Sequence, residues 1–321
     1  MPEPREGLCT WRKRLSGRRK AVTIIAGFKS YEGIVICADT QETVEHAKRN
    51  VPKLRFEPAN HAKGSTDDLA ALFCGSSNDG PYVDKLIENA WESAQTATSL
   101  DEACAEIESS IKRTYQEFGR IYQRGYCPTA ELIFGVKMFN GARLFSAYGP
   151  VVNEKQGFHS SGIGHYMADF LAGRMYRDYL NLHQCVILAA YILFQAKEHV
   201  EGCGGQSQIA VLRRDRTSGL VDSQHIETIT ELLQFTDDET GRILLDMANI
   251  DLNESEVREH VNSMMDGLLA VREARKDRLR DLTAFWNSFG GLSNKTDSLG
   301  LLMPSNEKKS EPEDTGDSNG N

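Results

Sequence analysis

Long apolar runs are missing from this sequence of 321 residues. The longest run extends from Cys185 to Phe194 and has ten residues, whereas a helix that crosses a bilayer needs about 20. The first 20 residues contain arginine and lysine with no apolar stretch behind them, so the pattern of a secretory signal is also absent. These absences predict a cytoplasmic protein without a membrane partner.

Patterns typical of disulfides and metal sites are missing as well. The seven cysteines are odd in number and include no CxxC pair, which predicts reduced thiols that pack as small apolar side chains. The eight histidines show neither HxxxH nor HExxH spacing, so no metal site is expected. Nothing in the sequence requires an organic cofactor either.

Positive charge is in deficit, because the chain has a net charge of −9. This balance argues against a general nucleic-acid partner. The basic residues are in clear excess at the start, where residues 1–20 carry seven Lys/Arg against two Asp/Glu. We predict a basic flexible extension at 1–22, a main domain at 23–225, a helical C-terminal region at 226–300 and a disordered acidic tail at 301–321.

Strands and helices occur in separate blocks along the main domain. The apolar runs at 21–29 and 33–40 flank a turn that contains glycine, which predicts an antiparallel hairpin. Such blocks favour an α+β fold of antiparallel sheets covered by helices over the βαβ alternation of a parallel sheet. Further strands are predicted at 53–57, 69–74, 130–138, 142–148, 208–213 and 219–221, and helices at 81–93, from 99, at 163–178 and at 181–201.

Three capping boxes indicate where helices begin. Ser99–Glu102 marks the second helix of the main domain, and Thr236–Glu239 and Asn253–Glu256 lie in the C-terminal region. In a capping box a polar side chain accepts from the third helical N–H, and a Glu side chain reaches back to the cap. We therefore expect a helix start at each of the three positions.

The first hairpin, VTIIAGFKSYEGIVICADTQET, resembles the opening of proteasome β-type subunits and their bacterial relatives. Thr23, Gly33, Asp39 and Lys53 match that family in order and nearly in spacing. The later segments AALFCGSSND, SSGIGHYMADFLAG and AAYILFQAKEHVEGCGGQSQIAVL are similar to the family too. The resemblance spans residues 23–215 or so and implies an N-terminal-nucleophile hydrolase. Its fold is a four-layer αββα sandwich of two antiparallel sheets flanked by helices, here with an added helical C-terminal region.

The resemblance assigns catalytic roles to four residues. Thr23 would supply the hydroxyl nucleophile and, through a free α-amine, the base that takes its proton. Asp39 and Lys53 would be supporting charges, because a nearby ammonium lowers the pKa of an amine. Gly75 would donate its backbone N–H to the developing oxyanion. Taken singly, these residues are more typical of a strand, a turn or the surface than of an active site, so only the ordered set indicates catalysis.

The resemblance also implies a substrate pocket and partners. Val51 and Phe73 fall where the family lines its specificity pocket, which favours an apolar substrate residue before the cleaved bond. Ser160 or Ser161 would support the region near the amine. The implied partners are a peptide or protein substrate and further copies of the chain in a ring-like homo-oligomer, while an ATPase partner stays an open question.

Some residues depart from the family pattern. Ile163 stands where the family often has a serine, and Val200 and Cys203 fall near its aspartate. Thr23 also follows Val22 rather than glycine, and inside a longer chain its nitrogen is a peptide amide that cannot act as a base.

Three explanations of the internal Thr23 are open: the extension is removed, the protein is a non-catalytic relative, or translation starts at Val22. We favour the last, because a GTG start codon reads as valine when it is taken as internal. The alternatives for function are a threonine-type peptidase, a catalytically inactive proteasome-like scaffold and an unrelated α+β binding protein.

Overall fold

The computed structural model describes residues 23–44, 47–58, 68–77, 80–121, 130–139, 141–214 and 218–277. The predicted extension at 1–22 and the predicted tail at 301–321 lie outside these residues. The strands are β1 Ile24–Ser30, β2 Gly33–Asp39, β3 Gln41–Val44, β4 Ala47–Asn50, β5 Leu54–Glu57, β6 Ala70–Ser77, β7 Ala130–Met138, β8 Gly141–Tyr148, β9 Val151–Lys155, β10 Phe158–Gly162, β11 Ser207–Arg213 and β12 Gly219–Leu220. The helices are α1 Gly80–Ala94, α2 Leu100–Ile121, α3 His165–Met175, α4 Leu182–His199, α5 Ser223–Ala248 and α6 Glu254–Ala274.

Two five-stranded antiparallel sheets form the centre of the fold. The first sheet has the strand order β10-β1-β2-β11-β12, and the second has the order β5-β6-β7-β8-β9. Strands β3 and β4 pair only with each other and form a separate hairpin. The antiparallel arrangement predicted from the blocks of strands and helices is confirmed.

The β1–β2 hairpin turns at Gly33, where only glycine fits. This residue has φ of +156°, and a Cβ atom there would lie 2.3 Å from the carbonyl oxygen of Leu212 in the neighbouring strand β11. Glycine has no Cβ, so β11 approaches the hairpin closely enough to pair along the whole of β2. The turn predicted at this glycine is therefore present.

Three apolar cores separate four layers. The core between the two sheets contains Ile25, Ile36, Leu72, Ile133 and Leu212. A second core joins the first sheet to α3, α4 and the start of α5, and a third joins the second sheet to α1 and α2. Strands β1 and β2 are thus buried on both faces, which explains their nearly continuous apolar sequence. The order helix, sheet, sheet, helix confirms the predicted αββα sandwich.

Two of the three predicted capping boxes lie at helix starts. The Asn253 side chain accepts from the N–H of Glu256 at 3.1 Å, and the Glu256 carboxylate accepts from the N–H of Asn253 at 2.8 Å. At α2 the Ser99 hydroxyl accepts from the N–H of Glu102, but the Glu102 carboxylate accepts from the N–H of Thr98 instead of Ser99. The second helix therefore begins as predicted, with the return bond moved by one residue.

The predicted helix start at Thr236 is wrong. Helix α5 continues without a break from Ser223 to Ala248, and its N-cap is Asp222, whose side chain accepts from the N–H of Gln224. The Thr236 hydroxyl donates to the carbonyl oxygen of Leu232 at 2.8 Å, four residues earlier in the same helix. A threonine inside a helix has this carbonyl within reach, so its sequence pattern alone does not distinguish it from a cap.

The C-terminal region is a helical hairpin that the sandwich holds at one end. Ile226 and Ile229 of α5 are buried against the first sheet and α4, and Asp237 accepts from the side chains of Tyr191 and Gln195. Helix α6 packs along α5 and contains no buried residue. No helix in the described ranges combines the length and apolar character that spanning a membrane requires.

Candidate active site

Thr23 and Asp39 meet at the end of the β1–β2 hairpin. Thr23 comes directly before β1 and Asp39 is the last residue of β2, so antiparallel pairing brings them together. The Thr23 hydroxyl donates to Oδ1 of Asp39, and the N–H of Ile24 donates to the same oxygen at 3.2 Å. Both side chains lie at the edge where the hairpin opens, away from the turn at Gly33.

Lys53 completes a three-residue cluster. Its Nζ atom lies 2.7 Å from Oδ1 of Asp39 and 2.8 Å from the carbonyl oxygen of Gln41, and it also donates to the Thr23 hydroxyl. The Asp39 side chain is fully buried and that of Lys53 is 10% exposed. A buried carboxylate and ammonium stabilise each other here, and the Thr23 hydroxyl lies in the field of both.

The loop between α4 and β11 holds the second oxygen of Asp39. The N–H of Gly204 donates to Oδ2 of Asp39 at 2.9 Å, and the N–H of Gln41 donates to the carbonyl oxygen of Gly204 at 3.1 Å. The side chain of Gln41 donates to the carbonyl oxygen of Gly202, and that of Gln208 accepts from the N–H of Lys53. These bonds fix the carboxylate and the start of β5. The sequence indicated the glycines of this loop, but it gave no signal for the two glutamines.

A cleft of about 390 Å³ opens beside Thr23. Gly75 and Val51, two of the predicted site residues, both line it. A Cβ atom on Gly75 would lie 2.4 Å from Cγ1 of Val83 in α1, so glycine allows the helix to approach this point of β6. Thr23 itself is only 2% exposed and reaches the cleft with a small part of its surface.

Phe73 does not reach the cleft. Its side chain is fully buried in the core between the second sheet and helices α1 and α2, where its ring stacks on Phe134 with centroids 5.5 Å apart. Alternate residues of β6 point to opposite faces, and Leu72 and Cys74 face the other sheet. Of the two predicted pocket residues, only Val51 is in contact with the cleft.

The two candidate support serines bond to carboxylates instead of Thr23. Ser160 donates to Oδ1 of Asp169 at 2.6 Å. The hydroxyl of Ser161 donates to Oε2 of Glu131, and the N–H of Gly162 donates to the same oxygen at 3.1 Å. Glu131 belongs to the second sheet, so this carboxylate connects the two sheets next to the site. Sequence reasoning missed Glu131, because its partners lie about 30 residues away on another sheet.

The glycine-rich segment after β10 encloses the backbone of Thr23. The N–H of Gly164 donates to the carbonyl oxygen of Thr23 at 3.2 Å. Gly162 has φ of +86°, and a Cβ atom there would lie 2.3 Å from that same oxygen. Ile163 and Val200, which depart from the family pattern, pack against the apolar core of the first sheet. The surroundings of Thr23 are therefore polar on the Asp39 side and largely apolar on this side.

Three buried thiols close to the cluster are held in the neutral form. Burial raises the pKa of Cys37 and of Cys203 to about 12, and it raises the pKa of Cys74 even further. Asp39 raises the pKa of Cys203 in addition, and Lys53 lowers it. The thiolate is the nucleophilic form of cysteine, so these thiols are poor competitors of the Thr23 hydroxyl. Within the described ranges, no group of His, Cys, Asp and Glu side chains is arranged to bind a metal ion.

Comparison with known proteins relates this fold to Anbu. The sequence matches no protein-family model and no curated protein. Anbu from Hyphomicrobium sp. strain MC1 matches with a TM-score of 0.55 at 14% identity, over 68% of this chain and 97% of that chain. The helical assembly of the Anbu complex from Pseudomonas aeruginosa matches with a TM-score of 0.55 at 13% identity, over 68% and 96%. Anbu from Yersinia bercovieri, described as an ancestral beta-subunit, matches with a TM-score of 0.51 at 12% identity, over 65% and 92%. At these identities the similarity establishes the fold.

Proposed function

We propose that this protein is a threonine-type peptidase or amidohydrolase of the proteasome-like family, with Thr23 as the nucleophile. The observation that carries the proposal is the contact of the Thr23 hydroxyl with Lys53 and Asp39 beside a cleft. The similarity of the fold to an ancestral beta-subunit favours the same interpretation. The substrate is a peptide or a protein, and the chain acts as a homo-oligomer, as the helical assembly of the Anbu complex suggests.

In the proposed reaction the Thr23 hydroxyl attacks the carbonyl carbon of the substrate. Its proton passes to the free α-amine of the same residue, and the amine then protonates the leaving nitrogen. The ammonium of Lys53 disfavours a second positive charge on the amine, while Asp39 holds Lys53 and the hydroxyl in position. The N–H of Gly75 stabilises the oxyanion, and water then hydrolyses the ester on Thr23.

This mechanism requires that the mature chain begins at Thr23, either by removal of residues 1–22 or by a start at Val22 followed by removal of the initiator methionine. The first experiment is the intact mass and N-terminal sequence of the protein purified from its native host. A terminus at Thr23 is the expected result, and a terminus at Met1 or Pro2 would remove the base and contradict the proposal.

The second experiment measures peptide hydrolysis by the chain that begins at Thr23. Thr23→Ala should reduce kcat/KM by about 1000-fold or more, because the variant lacks the attacking oxygen. Thr23→Ser should retain part of the activity, since serine keeps both the hydroxyl and the amine. Size-exclusion chromatography of Thr23→Ala should give the same elution volume as the parent chain. This result would show that the variant has lost catalytic activity and not its oligomeric state.

The second candidate function is a catalytically inactive scaffold with the same fold. The observation that favours it is the apolar packing of Ile163 and Val200 at positions where the family has polar groups. An assembled protein without Thr23-dependent hydrolysis, even with Thr23 at its terminus, would support the scaffold over the enzyme.

A further inference from the structure

The cleft beside Thr23 has aliphatic walls. They consist of side chains from the segment before β5, the first residue of β5 and the first half of α1, namely Val51, Pro52, Leu54, Pro81, Val83 and Ile87. A volume of about 390 Å³ is at the lower end of the range for ligand pockets, so it suits one long side chain better than a large group. Aliphatic walls suit an apolar side chain, and they suit the methylene stem of lysine or arginine equally well.

Five charged residues also line the cleft, and most of these charges are neutralised by a neighbour. Arg49 pairs with Glu42 at 2.7 Å, and Arg55 pairs with Glu57 at 2.6 Å. Lys53 pairs with Asp39 in the catalytic cluster. Each of these cations therefore has its own anion within direct contact.

Asp84 is the exception among the charged residues of the cleft. It lies on α1, one residue after Val83, which covers Gly75. Within the described residues it has neither an ion pair nor a hydrogen bond to another side chain. The neighbouring Lys85 pairs with Glu88 instead. The cleft thus combines aliphatic walls with one uncompensated negative charge.

We propose that this cleft selects a lysine or arginine side chain of the substrate, with Asp84 as the residue that determines this specificity. The proposal rests on the proposed function, because the side chain concerned belongs to the residue whose carbonyl Thr23 attacks. The methylenes of that side chain pack on Val51 and Ile87, and its cationic end reaches Asp84. A glutamate side chain would meet Asp84 and Glu42 and is disfavoured by like-charge repulsion. This specificity differs from the apolar preference that Val51 and Phe73 indicated in the sequence.

Binding and hydrolysis are to be measured separately with matched peptides that differ only in the residue before the cleaved bond, which is Arg, Leu or Glu. Binding of fluorescein-labelled peptides to the Thr23→Ala chain is followed by fluorescence anisotropy. Hydrolysis of the corresponding aminocoumarin peptides is followed with Thr23 intact. The variants are Asp84→Asn and Asp84→Lys, and the matched control is Glu92→Gln, which removes an exposed carboxylate two turns further along α1, outside the cleft.

The parent chain should bind the Arg peptide more tightly than the Leu peptide. Asp84→Asn should reduce this affinity ratio about three- to fivefold, the size expected for a solvent-accessible ion pair. Asp84→Lys should shift the preference toward the Glu peptide, and Glu92→Gln should leave all ratios unchanged.

Three results would overturn the proposal: no preference for Arg over Leu in the parent chain, ratios that do not respond to Asp84→Asn and Asp84→Lys, or no measurable binding of any peptide. A chain that binds the Arg peptide through Asp84 but hydrolyses none of the peptides would overturn the proposed function and leave the binding specificity in place.

Discussion

At the residue scale, the contact between Thr23, Asp39 and Lys53 explains why a buried carboxylate is tolerated at the end of β2. Oδ1 of Asp39 accepts from Lys53 and Thr23, and Oδ2 accepts from the N–H of Gly204. A buried ion costs several kcal/mol unless its hydrogen-bonding capacity is satisfied, and here both oxygens are satisfied. The same bonds place the hydroxyl of Thr23 next to a cation, which is the arrangement that the proposed chemistry needs.

Replacement of Asp39 by asparagine should destabilise the fold strongly. The ammonium of Lys53 would lose its carboxylate in a site where its side chain is only 10% exposed, so the free energy of unfolding should fall by about 3 kcal/mol. Urea unfolding measures this change. Glu42→Gln is the control, because its pair with Arg49 is solvent-accessible and should contribute less than about 1 kcal/mol. Equal effects of the two substitutions would contradict the structural role of Asp39.

At the scale of the elements, glycines and caps decide how the segments around the site begin and end. The segment from Gly162 to Gly164 turns from β10 into α3 while it touches the backbone of Thr23. The β3–β4 hairpin supplies Gln41, whose carbonyl oxygen accepts from Lys53. Neither β10 nor the β3–β4 hairpin was predicted from the sequence. All three strands consist largely of polar residues and lack the apolar pattern that identifies a strand, and β3 and β4 also lie outside the two main sheets.

Gly162→Ala should abolish hydrolysis and destabilise the protein. The added methyl group would lie 2.3 Å from the carbonyl oxygen of Thr23, at a φ of +86° that alanine rarely adopts. We expect a loss of at least about 1 kcal/mol in the free energy of unfolding together with a displaced Thr23. Gly241→Ala is the matched control, since it lies inside α5 with nothing within 4 Å and should raise the stability by up to about 1 kcal/mol. Full activity of Gly162→Ala would show that the segment does not position Thr23.

The two positions of the C-terminal region that have the sequence of a capping box should respond differently to alanine. Asn253→Ala removes a side chain that accepts from the N–H of Glu256 at the start of α6, and the cost should be about 1 kcal/mol. Thr236→Ala lies within α5 and removes only a bond to the carbonyl of Leu232, so the change should stay within about 0.5 kcal/mol. Circular dichroism during urea unfolding distinguishes the two. Similar losses for both variants would contradict an uninterrupted α5.

At the scale of the whole molecule, the stacking of two sheets brings together groups that are far apart in the chain. Glu131 lies on the second sheet and accepts from Ser161 and Gly162 on the first. On the outer side of the first sheet, burial lowers the pKa of His183 near the start of α4, although Glu32 raises it. Burial lowers the pKa of His159 on β10 as well, and Lys155 adds to the effect.

The stability of the fold should therefore decrease in mild acid. A histidine whose pKa is lower in the folded state than in the unfolded state binds fewer protons when folded, so protonation favours unfolding as the pH falls below about 6.5. The free energy of unfolding at about pH 5 should be lower than at about pH 7.5. His183→Gln should reduce this difference, because one of the two histidines no longer titrates. The same pH difference in the variant and the parent would contradict the contribution of His183.

The sequence by itself determined the class of the fold, and its resemblance to a known family singled out the three residues of the cluster. Glycine at the turn and unbroken apolar runs are local signals, and they were sufficient to predict the β1–β2 hairpin and antiparallel sheets covered by helices, while the αββα sandwich followed from the resemblance of the sequence to proteasome β-type subunits. Thr23, Asp39 and Lys53 were predicted as a set from the resemblance to that family, and they meet because one hairpin and the segment before β5 carry them.

Only the tertiary structure decided what surrounds these residues. Packing of the sheets and helices buries Phe73 in the core and brings Gln41 and Glu131 next to the site. It also places Asp84 of α1 on the cleft that the segment before β5 lines from the other side. Each of these outcomes depends on which face of an element packs against a distant partner. Local sequence fixes the alternation of faces along a strand, but the partner that each face meets is set by how sheets and helices stack.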